Sequence, residues 1–164
     1  MLFQKVHLPT YISFIYHITH NLEISYRLVT EGATCKAYYT IKQAINHLVR
    51  KELEYEVFLE AFNMIKEEYG LVNYIAKTRY TTPKGFEIDV FPDKLDGLIL
   101  IEKEFSSEKE AASYLDAASY LDEKDLLYKC LPSYLGEEVT SLYKYTNSTL
   151  VSFIGDVQEL LANA

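Results

Sequence analysis

The sequence predicts an α+β fold, in which an antiparallel sheet of eight strands carries helices at its periphery. Short stretches rich in aromatic and β-branched residues follow one another from residue 2 to residue 105, and such residues favour pleated surfaces. Turn-forming residues such as Asn21 and Gly32 separate several of these stretches. Because 164 residues with 49% hydrophobic content can bury one core, we expect a single domain over 1–164.

Eight segments have the length and the alternation of apolar and polar residues that are typical of strands. They are predicted at 2–7, 11–19, 22–29, 36–43, 49–57, 72–80, 86–91 and 97–105.

Helical spacing appears at three places outside these strands. Apolar residues recur at this spacing from Phe58 to Tyr69, and Gly70 is a favourable helix stop. Ser107 and Glu110 form a capping box ahead of a second helix. That helix contains a direct six-residue repeat, at 111–116 and 117–122, which we interpret as a tandem duplication that lengthens it. A final helix is predicted from residue 147 onwards.

Carboxylates at alternate positions mark the two last predicted strands. Glu87 and Asp89 share one strand face, and Glu102 and Glu104 share another, because successive side chains of a strand point to opposite sides. Four such charges on neighbouring strands repel one another. We therefore expect cations among them, either a divalent metal ion or the side chains of Lys and Arg.

Basic residues follow the same two-residue spacing. Lys77 and Arg79 are two residues apart. Arg50 precedes the acidic Glu52 at the same spacing, and Lys42 ends another apolar stretch. For any single strand, a solvated outer face explains such a pattern. Its repetition on most of the strands favours a curved sheet that encloses a charged cavity.

The order of three motifs resembles the CYTH domain of the triphosphate tunnel metalloenzyme superfamily. These motifs are Lys-x-Arg at 77–79, Glu-Ile-Asp-Val-Phe at 87–91 and Gly-Leu-x-Leu-x-Glu-x-Glu-Phe at 97–105. A later stretch, Leu-Gly-Glu-Glu-Val-Thr at 135–140 with Lys-Tyr-x-Asn at 144–147, is similar to the family's C-terminal signature. The likeness is greatest to small bacterial inorganic triphosphatase-type members. It implies an antiparallel eight-stranded β-barrel, or tunnel, with peripheral helices.

The first strand departs from the family pattern, which opens with Glu-x-Glu-x-Lys. Met1 and Phe3 stand where the family has glutamates, although Lys5 matches the lysine. We interpret 23–28 as the family's Arg-x-Arg strand, in which Ser25 replaces the first arginine and Arg27 keeps the second. Two acidic residues of the usual metal site are therefore absent from this motif.

The resemblance implies a metal-dependent phosphohydrolase that acts on inorganic or organic triphosphate. The expected catalytic residues are Glu52, Glu54 and Lys77. Phosphate would be bound by Lys5, Arg27, Lys42, Arg50, Lys77, Arg79 and Lys144. Mg²⁺ or Mn²⁺, which prefer hard oxygen ligands, would be held by Asp89, Glu102 and Glu104. Glu87 is assigned instead as a salt-bridge partner.

Two alternatives to an enzyme stay open at this point. The tunnel could bind a nucleotide or polyphosphate without turnover, or it could be a structural relic held by internal ion pairs. Within the family, adenylate cyclase activity is less favoured here than triphosphate hydrolysis. The family also suggests a homodimer.

Composition restricts the partners further. The net charge of −8 argues against duplex nucleic acid, which is bound through neutralisation of its phosphates, but converging cations can still bind a small polyanion. No apolar run approaches the roughly 20 residues of a membrane span. The N-terminus lacks the features of a signal peptide, so we expect a cytoplasmic protein with no membrane partner.

Overall fold

The computed structural model describes residues 8–19, 21–46, 49–119, 139, 142–153 and 157–162. Within these ranges, seven strands form one curled antiparallel sheet in the order β4-β3-β2-β1-β5-β6-β7. The strands are β1 (Thr10–Ile18), β2 (Leu22–Glu31), β3 (Thr34–Ala44), β4 (Arg50–Val57), β5 (Tyr74–Thr81), β6 (Phe86–Val90) and β7 (Ile99–Lys103). The expected antiparallel α+β fold is confirmed, with seven described strands. The predicted strand at 2–7 lies outside the described residues.

In the part of the chain that the structure describes, four α-helices accompany the sheet: α1 (Leu59–Glu68), α2 (Glu108–Ser119), α3 (Asn147–Leu150) and α4 (Val157–Ala162). Single 3-10 turns occupy Asp93–Leu95 and Tyr143–Tyr145. None of the helices in the described ranges has the length and apolarity that crossing a membrane requires.

The helix predictions hold for α1 and α2 and were partly wrong at the C-terminus. Helix α1 is followed, after Tyr69, by Gly70, whose φ of +58° is the left-handed conformation that glycine adopts without strain. The Ser107 hydroxyl accepts a hydrogen bond from the Glu110 amide at 3.2 Å, as a capping box requires, but the Glu110 carboxylate binds Ser106. The predicted final helix begins at Asn147 as expected, after Thr146, but it is divided into α3 and α4.

One side of the sheet is covered by helix α1. Phe14 of β1 and Ala37 of β3 are buried there against Phe62, which has 1% of its surface exposed. The rings of Phe14 and Phe62 meet edge to face with centroids 5.9 Å apart. Alternate strand residues therefore supply this core and leave their neighbours for the opposite side.

The other side of the sheet has a second core at one end. Ile75 of β5 packs there with Leu98, Leu150 and Leu160, among other residues of the segments after β6 and of the C-terminus. The Lys94 ammonium group donates a 2.6 Å hydrogen bond to the Val151 carbonyl and ties these segments together. Since Ile75 and Lys77 are two residues apart on β5, they point to the same side. The C-terminal elements consequently cover one end of the face that carries Lys77.

Candidate functional site

Strand register brings most of the predicted site residues to one face of the sheet. Arg79 pairs with Asp89 across β5 and β6, and Glu87 pairs with Glu102 across β6 and β7. Directly paired residues point to the same side of an antiparallel sheet, and so do residues two apart on one strand. We call this side the charged face. Its ionisable members include Arg27, Lys42, Glu52, Glu54, Lys77, Arg79, Glu87, Asp89 and Glu102.

Asp89 is the most deeply buried charge of this face, with 0% of its surface exposed. Arg79 binds it through two hydrogen bonds of 2.6 Å, from Nε to Oδ1 and from Nη2 to Oδ2. Lys77, itself buried, forms a salt bridge to the same carboxylate. Two cations therefore compensate one buried anion, and a bidentate guanidinium contact fixes its geometry.

The pKa values of this cluster follow from its contacts. Burial alone would raise the pKa of Asp89, but hydrogen bonds and positive charge from Arg79 and Lys77 hold it below the ordinary value of an aspartate. Burial opposes the charge on Arg79, yet Asp89, Glu102 and Glu87 together raise its pKa. Asp89 and Arg79 are thus both charged at neutral pH.

Arg79 is also the meeting point of two further carboxylates. Its Nη1 atom forms a salt bridge with Glu87, and its Nη2 atom lies 3.2 Å from an oxygen of Glu102. The contact with Glu87 agrees with the salt-bridge role expected for that residue. Glu104, by contrast, follows the end of β7 and is exposed.

A second guanidinium, that of Arg27 on β2, lies on the same face. Arg27 forms a salt bridge with Glu54 of β4, and Thr40 of β3 donates a 3.2 Å hydrogen bond to the same carboxylate oxygen. The Arg27 side chain also contacts two aromatic rings, those of Tyr11 at 5.5 Å and Tyr38 at 5.8 Å. Among the described side chains, Arg27 Nε is the buried nitrogen that has no hydrogen-bond partner. An acceptor oxygen would satisfy it.

A third group of charges crosses strands β2, β3 and β4. Lys42 pairs with Glu23 on one side and with Glu52 on the other, and Arg50 lies 3.6 Å from Glu52. Burial lowers the pKa of Lys42, although Glu52 and Glu23 oppose this effect. Burial likewise raises the pKa of Glu23, although Lys42 opposes it. An added anion here would therefore favour the charged form of Lys42.

Lys144, a further predicted phosphate ligand, is not brought into these groups. Lys144 donates a 2.9 Å hydrogen bond to the Leu160 carbonyl in α4 and lies 4.8 Å from the centre of the Tyr145 ring. Lys5 lies outside the described residues, as do most residues of the C-terminal motif at 135–140.

The expected metal ligands can be tested against this geometry. Both oxygens of Asp89 accept hydrogen bonds from cationic side chains, Glu102 contacts Arg79, and Glu104 lies beyond the end of β7. Throughout the described ranges, no three or more His, Cys, Asp or Glu side chains are grouped so that they could hold a metal ion. As arranged here, the three carboxylates do not form a site for a divalent ion, because Asp89 and Glu102 are already paired with protein cations and Glu104 lies beyond the end of the strand.

Sequence reasoning missed the aromatic part of the site. Tyr11 lies between Arg27 and Arg79, 5.5 and 5.4 Å from their guanidinium carbons, and Tyr38 covers Arg27 from another side. A local signal existed for Tyr38, which is two residues before Thr40 on the same strand, whereas the place of Tyr11 opposite Lys77 follows from strand register. Tyrosine in a strand is, however, more commonly a packing residue. Glu23 was missed as an acidic neighbour of Lys42.

Comparison with known proteins fits this architecture. The chain is 31% identical over 119 residues to the inorganic triphosphatase of Acetivibrio thermocellus, a match that covers 71% of this chain and 65% of that protein. It therefore spans just under two thirds of that relative's length. No protein-family model matches the chain.

Solved structures agree with the fold. The inorganic triphosphatase NE1496 is 26% identical, with a TM-score of 0.50 over 94% of this chain and 92% of that chain. A structure of the hypothetical protein NE1496 has the same TM-score at 24% identity, over 94% of this chain and 93% of that one, which bears on the fold alone.

The fold and the site together define a class of protein. Its members have an α+β fold with a curled antiparallel sheet, and one face of that sheet carries alternating cations and carboxylates. In sequence and in fold, the chain resembles CYTH, or triphosphatase-type, proteins.

Proposed function

We propose that this protein binds inorganic triphosphate on the charged face and hydrolyses it. The observation that carries the proposal is the convergence of Lys77 and Arg79 on the buried carboxylate of Asp89, with Arg27 and Lys42 on the same face. The likeness to inorganic triphosphatases supports this choice of substrate. An acidic protein of net charge −8 gains such a site only by concentrating cations locally.

Charge exchange is the central step that we propose for binding. Without a ligand, the cations of the face are neutralised by Asp89, Glu54, Glu87 and Glu102. Triphosphate oxygens are equally good acceptors for guanidinium groups, and they would displace the half-exposed carboxylates first. Asp89 is buried and would stay in place to orient Arg79.

Residue roles follow from these positions. We propose that Arg27, Lys42, Arg50, Lys77 and Arg79, with Lys5 and Lys144, bind phosphate oxygens and stabilise the charge that develops during hydrolysis. Glu52, Glu54, Glu102 and Glu104 are the carboxylates that we propose for orienting water. A divalent ion, Mg²⁺ or Mn²⁺, would arrive as the counter-ion of the triphosphate, as part of the substrate.

A second candidate function is binding of a nucleotide or polyphosphate without turnover. It is favoured by the engagement of the expected metal ligands with Lys77 and Arg79. The presence of Met1 and Phe3 where the family has glutamates points the same way. A single domain over 1–164 and assembly as a homodimer remain proposals under either function.

The deciding experiment measures phosphate release from inorganic triphosphate, with Mg²⁺ or Mn²⁺ and with ATP in parallel reactions. The test variant is Glu102→Gln with Glu104→Gln, in which hydrolysis should be abolished while affinity for triphosphate is kept, because Glu102 competes with the ligand for Arg79. The matched control is Glu60→Gln with Glu67→Gln, which removes the same charge from exposed positions on helix α1, on the opposite side of the sheet.

Each outcome separates the candidates. Release that is lost in the test variant and kept in the control supports hydrolysis at this face. No release, combined with a rise in melting temperature on adding triphosphate, supports the binding protein instead. If neither triphosphate nor ATP produces either effect, both candidates are wrong.

A further inference from the structure

We infer that Tyr11 is a positioning residue that holds Arg27 and Arg79 at a fixed spacing for a ligand with several linked phosphate groups. The inference deepens the proposed function and rests on it. Tyr11 belongs to none of the family motifs at 77–79, 87–91, 97–105 and 135–147.

The position of Tyr11 in the sheet explains why it reaches both arginines. Its strand, β1, lies between β2, which carries Arg27, and β5, which carries Arg79. Tyr11 pairs directly with Lys77 of β5. The guanidinium carbons of Arg27 and Arg79 are 5.5 and 5.4 Å from the centre of its ring. Both distances lie within the range of a cation–π contact.

Two guanidinium groups beside one ring repel each other. A carboxylate on the side away from the ring stabilises each of them. Glu54 binds Arg27 from β4, and Asp89 binds Arg79 from β6. The ring thus separates two guanidinium groups that are each held on the far side by an anion. Burial raises the pKa of the Tyr11 phenol although both arginines oppose this shift, so the ring stays neutral at physiological pH.

The ring holds the arginines in a way that a carboxylate cannot. Carboxylates and phosphates compete for the same N–H donors of a guanidinium group. A ring face contacts the guanidinium without using those donors, so the contact can persist when phosphate replaces Glu54. Tyr11 would therefore matter most in the complex, when the competing carboxylates have left.

This role predicts a difference between long and short anions. A triphosphate can contact both arginines at once. It gains affinity from their fixed spacing, because the two side chains lose little conformational entropy on binding. Orthophosphate contacts one arginine and gains little. Loss of the ring should therefore weaken triphosphate binding more than orthophosphate binding.

The test compares Tyr11→Leu with Tyr11→Phe in the full chain. Calorimetry gives the Kd for inorganic triphosphate and for orthophosphate, and phosphate release gives kcat and KM. In Tyr11→Leu we expect KM and Kd for triphosphate to rise roughly tenfold, as loss of two cation–π contacts implies. The Kd for orthophosphate and kcat should change less than about twofold. Tyr11→Phe keeps the ring and should behave like the parent.

Tyr39→Leu is the matched control. Tyr39 is half-buried in the same sheet and packs on Tyr26, with ring centroids 5.2 Å apart. It lies on the opposite side from the charged face. The substitution removes the same atoms from the sheet, so we expect a stability loss with unchanged KM.

Several results would overturn the inference. If Tyr11→Leu leaves the triphosphate Kd unchanged in a parent that binds triphosphate, Tyr11 does not position the arginines, and the proposed function stands. Equal weakening for triphosphate and orthophosphate, or failure of Tyr11→Phe to restore binding, also contradicts it. If the parent neither binds nor hydrolyses triphosphate, the proposed function and the inference both fall.

Discussion

Arg79 and Asp89 face each other across strands β5 and β6, and the guanidinium group donates to both oxygens of the carboxylate at 2.6 Å. This pair is the centre of the charged face, because Lys77, Glu87 and Glu102 all contact one of its two members. A buried carboxylate that anchors two cations can orient them toward a ligand without itself being reached by it.

The first prediction concerns the stability that Asp89 confers. Asp89→Asn keeps the shape of the side chain but leaves the buried charges of Lys77 and Arg79 without their main counter-charge. We expect the free energy of unfolding to fall by about 3 kcal/mol, as is typical when one partner of a buried ion pair is removed. Urea unfolding at pH 7 measures this change.

Glu56→Gln is the control for this prediction. Glu56 forms an exposed salt bridge with Lys36 at 3.0 Å, and exposed pairs contribute less than about 1 kcal/mol. Similar losses in both variants would show that Asp89 is not energetically special.

The second prediction concerns acid. The pKa of Asp89 is lower in the folded protein than its ordinary value of 3.8, so the unfolded chain binds this proton more readily. The stabilisation is then complete above about pH 4 to 5 and is lost as the pH falls further. Unfolding free energies measured from pH 6 down to pH 2 should fall less steeply in Asp89→Asn than in the parent. Parallel curves would contradict the assignment.

The third prediction concerns alkaline pH. Because burial lowers the pKa of Lys42 below 10.5, this side chain loses its positive charge earlier than an ordinary lysine as the pH rises. Affinity for triphosphate should therefore begin to decline below pH 10.5. Lys42→Arg keeps its charge in this range and should move the decline to higher pH. Titration calorimetry between pH 7 and 10 measures both curves, and coincident curves would exclude Lys42 as the group responsible.

The fourth prediction concerns the core beneath helix α1. Phe62→Ala should lower the free energy of unfolding by about 3–5 kcal/mol, since it removes a fully buried ring. Phe58→Ala is the control because Phe58 is 82% exposed, and it should change stability by less than about 0.5 kcal/mol. At a temperature where both variants are folded, KM for triphosphate should equal that of the parent, since this core lies on the opposite side of the sheet. A raised KM in Phe62→Ala alone would show that the two sides are coupled.

The sheet and the common face of the charges could be predicted from local pattern. Two residues that are two apart on a strand must share a face, so Lys77 with Arg79 and Glu87 with Asp89 needed only the identification of their strands. The resemblance to the family motifs then predicted the order of these strands along the chain. The division of the C-terminal helix could not be predicted in this way, because the apolar spacing continues through the turn at Val151–Phe153.

The partners of the charges required information that is not local. Whether Asp89 holds a metal ion or Arg79 depends on register, since Arg79 lies opposite Asp89 but Glu102 lies opposite Glu87. Register is set by the connections and by packing of the whole sheet. The role of Tyr11 depends on the pairing of β1 with both β2 and β5, and the residues next to Tyr11 in the sequence do not predict that pairing.

Strand β4 is an outer strand of the described sheet, and its residues are exposed almost throughout. Glu52, Glu54 and Glu56 repeat along it at every second position. Outer strands offer unpaired backbone groups to strands of other molecules, and charged side chains oppose such association. Electrostatic repulsion between copies of β4 would thus protect a tyrosine-rich protein against aggregation, with the same glutamates that surround the phosphate-binding cations.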